Sequence, residues 1–202
     1  IGAPPPIATT AITIYSGSMD IPDVFGASHT PLTSTVPSPQ PALTLASAAL
    51  AVAENMEGYT LVIEKSTVPP GTAESVLDPI FKQNIREGSQ YDLAVNPEFL
   101  REGAAIYDCL HPDRLVFGVH SEEAEHLLRE LYTPLFEGAI QEHSDNSRVG
   151  VVVTNWATAE LIKQASNAFL ATKISFMNMM ADVCDTSGAN VTDLALGLGV
   201  DP

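Results

Sequence analysis

The sequence predicts a doubly wound parallel α/β sheet followed by one long helix, and three observations predict it. Short β-rich runs alternate with helical stretches at the spacing of βαβ units. Those runs are continuously apolar rather than alternating, which suits strands covered on both faces. Finally, residues from Asn155 to about Thr186 contain neither proline nor glycine and repeat apolar side chains at helical spacing.

Taken in order, residues 1–41 stand apart from the rest. They hold eight of the fifteen prolines, many Ser and Thr, and no Lys or Arg, so they read as an atypical or disordered segment. A short strand is expected at Ala11–Tyr15. Ala42–Met56 is a good helix former stopped by Gly58, and Thr60–Glu64 is a β-rich run ending at Lys65-Ser66-Thr67 and two prolines. Ala73–Ile85 reads as a helix that Pro79 kinks or splits. Strands are expected at Asp92–Val95, Arg114–Val119, Gly138–Glu142 and Val149–Val153, with a helix from the cap Ser121 to about Tyr132. The long helix then runs to Gly188, roughly 45–50 Å, longer than a small domain is wide, so it must project or bridge. A short helix at Val191–Leu196 closes the chain. The expected domains are thus 1–41, 42–153 and 154–202.

A formal charge of −16 argues against a nucleic-acid or anionic-membrane surface, yet leaves room for a nucleotide held by backbone N–H groups and a few cations. The Ala-rich stretch near Ala42–Ala53 is too short to span a bilayer. Ile1 opens the chain without a basic n-region, so nothing resembles a signal peptide, and without an initiator Met, so residue 1 is expected not to be a natural start. Cys109 and Cys184 form no C-x-x-C pair and the five histidines have no ligand spacing, so a reducing compartment, the cytoplasm, and no metal site are expected.

Three clusters suit chemistry, each with a plainer reading beside it. Ser66-Thr67-Val68-Pro69-Pro70-Gly71-Thr72 follows a strand, where free N–H groups face an anionic or amide ligand, although an ordinary proline turn has the same composition. Glu98 and Glu102 in Asn96-Pro97-Glu98-Phe99-Leu100-Arg101-Glu102-Gly103 share a face if the segment is helical. One raised carboxyl there suits acid/base work, and a solvated acidic turn is the alternative. Lys163 and Asn167 lie one helical turn apart among Leu161, Ala165, Ala168 and Phe169, a pair able to hold a developing oxyanion or merely a snorkelling lysine. No G-x-G-x-x-G follows any strand.

Together these stretches resemble the UDP-glucose/GDP-mannose dehydrogenase family. The likeness rests on Glu64-Lys65-Ser66-Thr67-Val68-Pro69, Asn96-Pro97-Glu98-Phe99-Leu100, His111-Pro112-Asp113-Arg114, the run Ala159–Leu170 and Ser187-Gly188-Ala189-Asn190-Val191, in one order over about four fifths of the chain. The resemblance implies the C-terminal half of a Rossmann-like sheet, a long central helix and the start of an all-α dimerisation region. It also implies NAD as cofactor and a nucleotide-sugar C6 alcohol oxidised twice to the uronate, for polysaccharide biosynthesis. A cysteine thiolate captures the aldehyde and water releases the acid.

By the same resemblance Ser66, Thr67, Val68 and Glu102 lie along the cofactor, with Thr67 near the reacting centre. Glu98 is the acid/base residue for hydrolysis. Phe99, Leu100 and Arg101, together with Glu98, Glu102, Lys163 and Asn167, contact the UDP-sugar. Lys163 acts on the C6 oxygen, Asn167 helps hold the oxyanion, and the long helix forms a homodimer.

The chain departs from the family pattern as well. The glycine-rich turn is absent, residues 1–41 do not match, and neither Cys109 nor Cys184 has the Gly-rich context of the nucleophile, which is expected past Pro202. The chain alone is therefore expected not to turn over. Gly103-Ala104 and Ser166–Leu170 favour the UDP-glucose branch over the GDP-mannose and UDP-N-acetylmannosamine branches. A non-catalytic dimerisation and scaffold role is the competing class.

Overall fold

The computed structural model describes residues 8–12, 41–101, 103–136 and 149–200, with 8–12 and 41–44 as backbone only. Five strands form one sheet in chain order: β1 (Ala8–Ile12), β2 (Tyr59–Glu64), β3 (Gln90–Val95), β4 (Arg114–Gly118) and β5 (Gly150–Thr154). The expected first strand lies three residues earlier than the sequence suggested. The expected strand at 138–142 falls outside the described residues, as do Glu102 and most of residues 1–41.

Three neighbouring strand pairs are parallel, as expected. The fourth, β3 with β4, is antiparallel and meets only at Val95 and Gly118. Between them residues 96–113 supply one six-residue helix, α3 (Ala105–Leu110), and no full helical return along a face of the sheet. A parallel neighbour needs that return, so the sheet is mixed at this point.

Alternation along the central strands deals side chains to two layers. Val62, Leu93, Val95 and Val116 pack under α1 (Pro41–Asn55), α2 (Asp78–Asn84) and the start of α6 (Trp156–Ser187). Leu61, Ile63, Ala94, Leu115 and Phe117 meet α4 (Glu122–Leu131) on the other face. Helices on both faces are the doubly wound arrangement.

The second helical stretch is split, as Pro79 requires. Ala73–Leu77 is a π-helical turn, with the Asp78 N–H donating to Ala73 O, and α2 follows. Pro79 has no N–H to donate to the preceding turn, which leaves room for the wider winding. Ser121 caps α4 by accepting from Ala124 N at 3.0 Å. A one-turn helix, α5 (Thr133–Phe136), follows that the sequence pattern did not reveal.

The chain divides into two compact units, 1–163 and 164–202. In the first, Asn155 caps α6 by accepting from Thr158 N at 2.8 Å, and buried Trp156 donates to Leu93 O at 2.8 Å. In the second, α6 ends at Gly188, whose φ of 77° closes the last turn, and Asn190 caps α7 (Val191–Gly199) through Thr192 N at 2.8 Å. Phe169, Leu170, Ile174 and Phe176 are exposed along that part of α6. No helix among the described residues is long and apolar enough to cross a membrane.

Gly118 marks the tightest approach in the first unit. A Cβ there would meet Ala159 Cβ at 2.7 Å, Asn155 O at 3.1 Å and Trp156 Cα at 3.1 Å, none of them a flexible side-chain end. Gly118→Ala is expected to cost about 1–3 kcal/mol by overpacking, read as a lowered denaturation midpoint. Gly150→Ala, with nothing within 4 Å of its Cβ, is the control. Equal midpoints for the two variants would refute the tight contact.

Candidate functional site

The carboxyl ends of β2 and β3 lie side by side, with Glu64 and Val95 as register partners. The loops that begin at Lys65 and Asn96 therefore start as neighbours. Asn96 N donates to Glu64 O at 2.8 Å, and the buried Asn96 side chain donates to Val116 O at 2.9 Å. Its Oδ1 accepts from Lys65 Nζ at 3.2 Å and from the Tyr132 hydroxyl. Lys65 also reaches Tyr132 Oη at 3.2 Å. One buried amide thus ties together three elements and both candidate loops.

Beyond Asn96 the chain does not become helical; residues 96–101 are irregular. The helical face that Glu98 and Glu102 were expected to share is therefore not formed on the Glu98 side. Pro97 follows the strand directly, and Arg101 folds back onto the first turn of α3. Its backbone N–H donates to Asp108 Oδ2 at 2.7 Å, and its guanidinium grips the same carboxylate at 2.6–3.2 Å. Arg101 hydrogen bonds hold Asp108 down to about 2, and the guanidinium remains largely exposed. Leu100 is half-buried.

Phe99 is the centre of the cluster. The Arg114 guanidinium carbon stands 4.1 Å from its ring centroid and Lys163 Nζ stands 5.2 Å from it. Both are cation–π distances. Burial lowers the Lys163 pKa, the charge of Glu98 raises it, and Arg114 lowers it further. Glu98, Phe99 and Lys163 are thereby brought together. Asn167 is exposed and belongs to the second unit.

The loop after β2 is fixed from a different direction. Ser66 and Thr67 are half-buried, and Val68 packs into the core. Thr72 Oγ1 donates to Pro69 O at 2.6 Å and so closes the proline turn. Gly71 takes a φ of 90°, which only glycine adopts readily, and points its N–H inward. Glu160, 2% exposed on α6, accepts from Gly71 N with one oxygen and from Ala73 N at 2.8 Å with the other.

Lys65, Arg114, Tyr132 and Glu160 received no role from the sequence, although three of them stand in the quoted motifs. The available signal for Glu160 was the donor-poor Pro69-Pro70 pair, which leaves the amides after it in search of an acceptor.

Burial, rather than a paired glutamate, produces the raised carboxyl of this region. Glu64 is buried at the end of β2 and is pushed up to about 8 by desolvation, against hydrogen bonding by Ser66. The charge of Glu160 adds to the rise and that of Lys65 opposes it. Glu160 is itself raised by burial, with the Ala73, Gly71 and Thr72 amides pulling the other way.

Two family models match the chain. The NAD binding domain of the UDP-glucose/GDP-mannose dehydrogenase family matches residues 11–136, and the central domain of the same family matches residues 157–202. The first match reaches back into the segment that the motifs left unmatched. A UDP-glucose 6-dehydrogenase of Rickettsia typhi is 45% identical over 150 residues, covering 74% of this chain and 32% of that protein. One of Rhizobium meliloti is 44% identical over 156 residues, covering 76% and 33%. Among solved structures, a UDP-glucose dehydrogenase from Pyrobaculum islandicum superposes with a TM-score of 0.66 at 35% identity, over 78% of this chain and 34% of that one. The chain spans about a third of the length of the curated relatives it matches.

The raised Glu64 carboxyl makes stability depend on pH. Its folded pKa of about 8 lies above the ordinary carboxyl value of 4.5, so the folded state binds more protons in that window and loses stability as pH rises through it. Glu64→Gln is expected to flatten this slope. Urea titrations should show the variant about as stable as the parent at pH 5 and more stable, by several kcal/mol, above pH 8. An unchanged slope would remove Glu64 as its cause.

Proposed function

The chain belongs to the UDP-glucose/GDP-mannose dehydrogenase family, and from that premise we propose that it is the part of an NAD-dependent UDP-glucose 6-dehydrogenase that brings Thr67, Glu98, Lys163 and Asn167 to the sugar. One observation carries the reading: two cations, Arg114 and Lys163, share the Phe99 ring, with the charge of Glu98 acting on Lys163. Like charges so placed repel, and the arrangement is a poor one for stability alone. An oxygen that gains negative charge relieves the repulsion.

The residues present suit the nicotinamide end of the cofactor. Ser66 and Thr67 offer hydroxyls and backbone groups at the carboxyl end of a parallel strand, and Val68 adds an apolar wall. When bound, that group supplies the hydride acceptor. Lys163 donates a hydrogen bond to the C6 oxygen of UDP-glucose as charge develops there, and Asn167 supports the same oxyanion. Glu98 moves the proton of the water that releases UDP-glucuronate. Phe99 and Leu100 contact the sugar nucleotide, as does the exposed edge of Arg101, while Asp108 keeps that loop in shape. Glu102 approaches the cofactor.

We also read the exposed apolar side chains of the second unit as a homodimer surface. The two free cysteines accord with a cytoplasmic enzyme. Sedimentation at micromolar concentration should show a dimer, and a monomer without concentration dependence would count against it.

Lys163→Ala, in the enzyme containing this chain, is expected to keep the fold while lowering kcat by on the order of 10²–10³-fold with UDP-glucose and NAD saturating. Asn167→Ala should show a smaller effect of the same kind. A Lys163→Ala enzyme within a few-fold of the parent kcat would take this lysine out of the site.

A further inference from the structure

The geometry points to Glu160 as a positioning residue that fixes the Ser66–Val68 loop relative to the helical turn carrying Lys163. The inference rests on the function proposed above and assigns a role to a residue outside the reacting set. Pro69 and Pro70 have no N–H, so the loop's inward donors are those of Gly71 and Ala73, and both go to the Glu160 carboxylate. Around them the loop is stiff. Thr72 N and Oγ1 both donate to Pro69 O, at 3.2 and 2.6 Å, and Ser75 N and Oγ both donate to Gly71 O, at 2.9 and 2.6 Å.

The other end of the link is stiff too. The first turns of α6 are held by the Trp156 bond to Leu93 O and by the close packing of Ala159 on Gly118. Glu160 thus joins two rigid bodies across 87 and 89 residues of sequence. Thr67 sits two residues before Pro69 on one, and Lys163 three residues after Glu160 on the other. Two hydrogen bonds to one planar carboxylate set an angle as well as a distance. A buried carboxylate adds little to stability that an apolar side chain cannot match, so holding this geometry is the better account of it.

Glu160→Gln keeps the side-chain length but turns an NH₂ toward one of the two amides. Two measurements read the result. Amide exchange on the chain should accelerate at Gly71 and Ala73 by tenfold or more, while amides in β2 and β3 keep their protection. In the enzyme containing the chain, kcat should fall by on the order of 10²-fold, with KM for UDP-glucose within about threefold. If Glu160→Gln does not fold, Glu160→Asp carries the same two measurements, since it keeps the charge and loses the reach to one amide. Unchanged exchange at Gly71 and Ala73, or faster exchange with kcat within twofold of the parent, overturns the inference. Thr67→Ala and Lys163→Ala run in parallel separate the two ideas. If those variants retain kcat, the proposed function fails. If they lose it while Glu160→Gln does not, only the role of Glu160 fails.

Discussion

Buried backbone N–H groups must find acceptors, and the loop after β2 meets that requirement in an unusual way. Two consecutive prolines deny it local pairing, Gly71 turns its N–H inward, and the π-helical turn opens with another unpaired donor at Ala73. The acceptor comes from a helix that follows almost ninety residues later. A carboxylate serves the two donors with separate oxygens, Oε2 for Gly71 and Oε1 for Ala73. The solution places Glu160 in the field of a second buried acid, Glu64, which sits at the end of β2 just before the same loop. Desolvation at the end of β2 raises the Glu64 carboxyl, and the charge of Glu160 adds to that rise.

Much of this fold is legible in the sequence because it depends on periodicity. The stretches 61–63, 93–95 and 115–117 are apolar at every position because Leu61 and Ile63 face α4 while Val62 faces α1 and α2. The split at Pro79 and the stop at Gly188 follow from one missing donor and one positive φ. The antiparallel meeting of β3 and β4 is a different matter, since it depends on the short connection between them rather than on any repeat. Glu160 was equally hard to read. A glutamate three residues from a lysine on a helix has the same pattern whether its carboxyl meets solvent or two buried amides. Lys65 and Tyr132 meet over 67 residues of sequence, and only the pairing of strand ends makes them neighbours.

The long helix shows the limit of periodicity most clearly. Its sequence stays apolar at helical spacing throughout, yet Trp156 and Ala159 are buried whereas Phe169 and Ile174 are exposed. The pattern records which residues share a face, and a face has no meaning until something covers it. In the first unit the cover is the sheet, brought close by the absence of a Cβ at Gly118. The second unit carries the same kind of face with Phe169, Leu170 and Ile174 exposed. The homodimer proposed above would give that face its cover.

Charge gives the last step of the argument. The chain has 25 acidic residues against nine lysines and arginines, and three of those nine, Lys65, Arg114 and Lys163, sit at or beside the ends of the central strands. Lys65 is spent on Asn96 and Tyr132, so its work is to join the loops. Arg114 and Lys163 differ, because Arg114 disfavours the charge of Lys163 while both lean on one aromatic ring. The ring quadrupole offsets part of that cost, on the order of 1 kcal/mol for each contact, and Glu98 offsets more on the side of Lys163. What remains is a local excess of positive charge in a protein that is otherwise strongly negative. Such an excess repels no anionic ligand at the point of contact, and it gains most when an oxygen acquires charge during reaction, since the repulsion between the cations falls at the same moment. Under the proposed function this is differential stabilisation in its simplest form: groups that fit each other poorly at rest fit the transition state better.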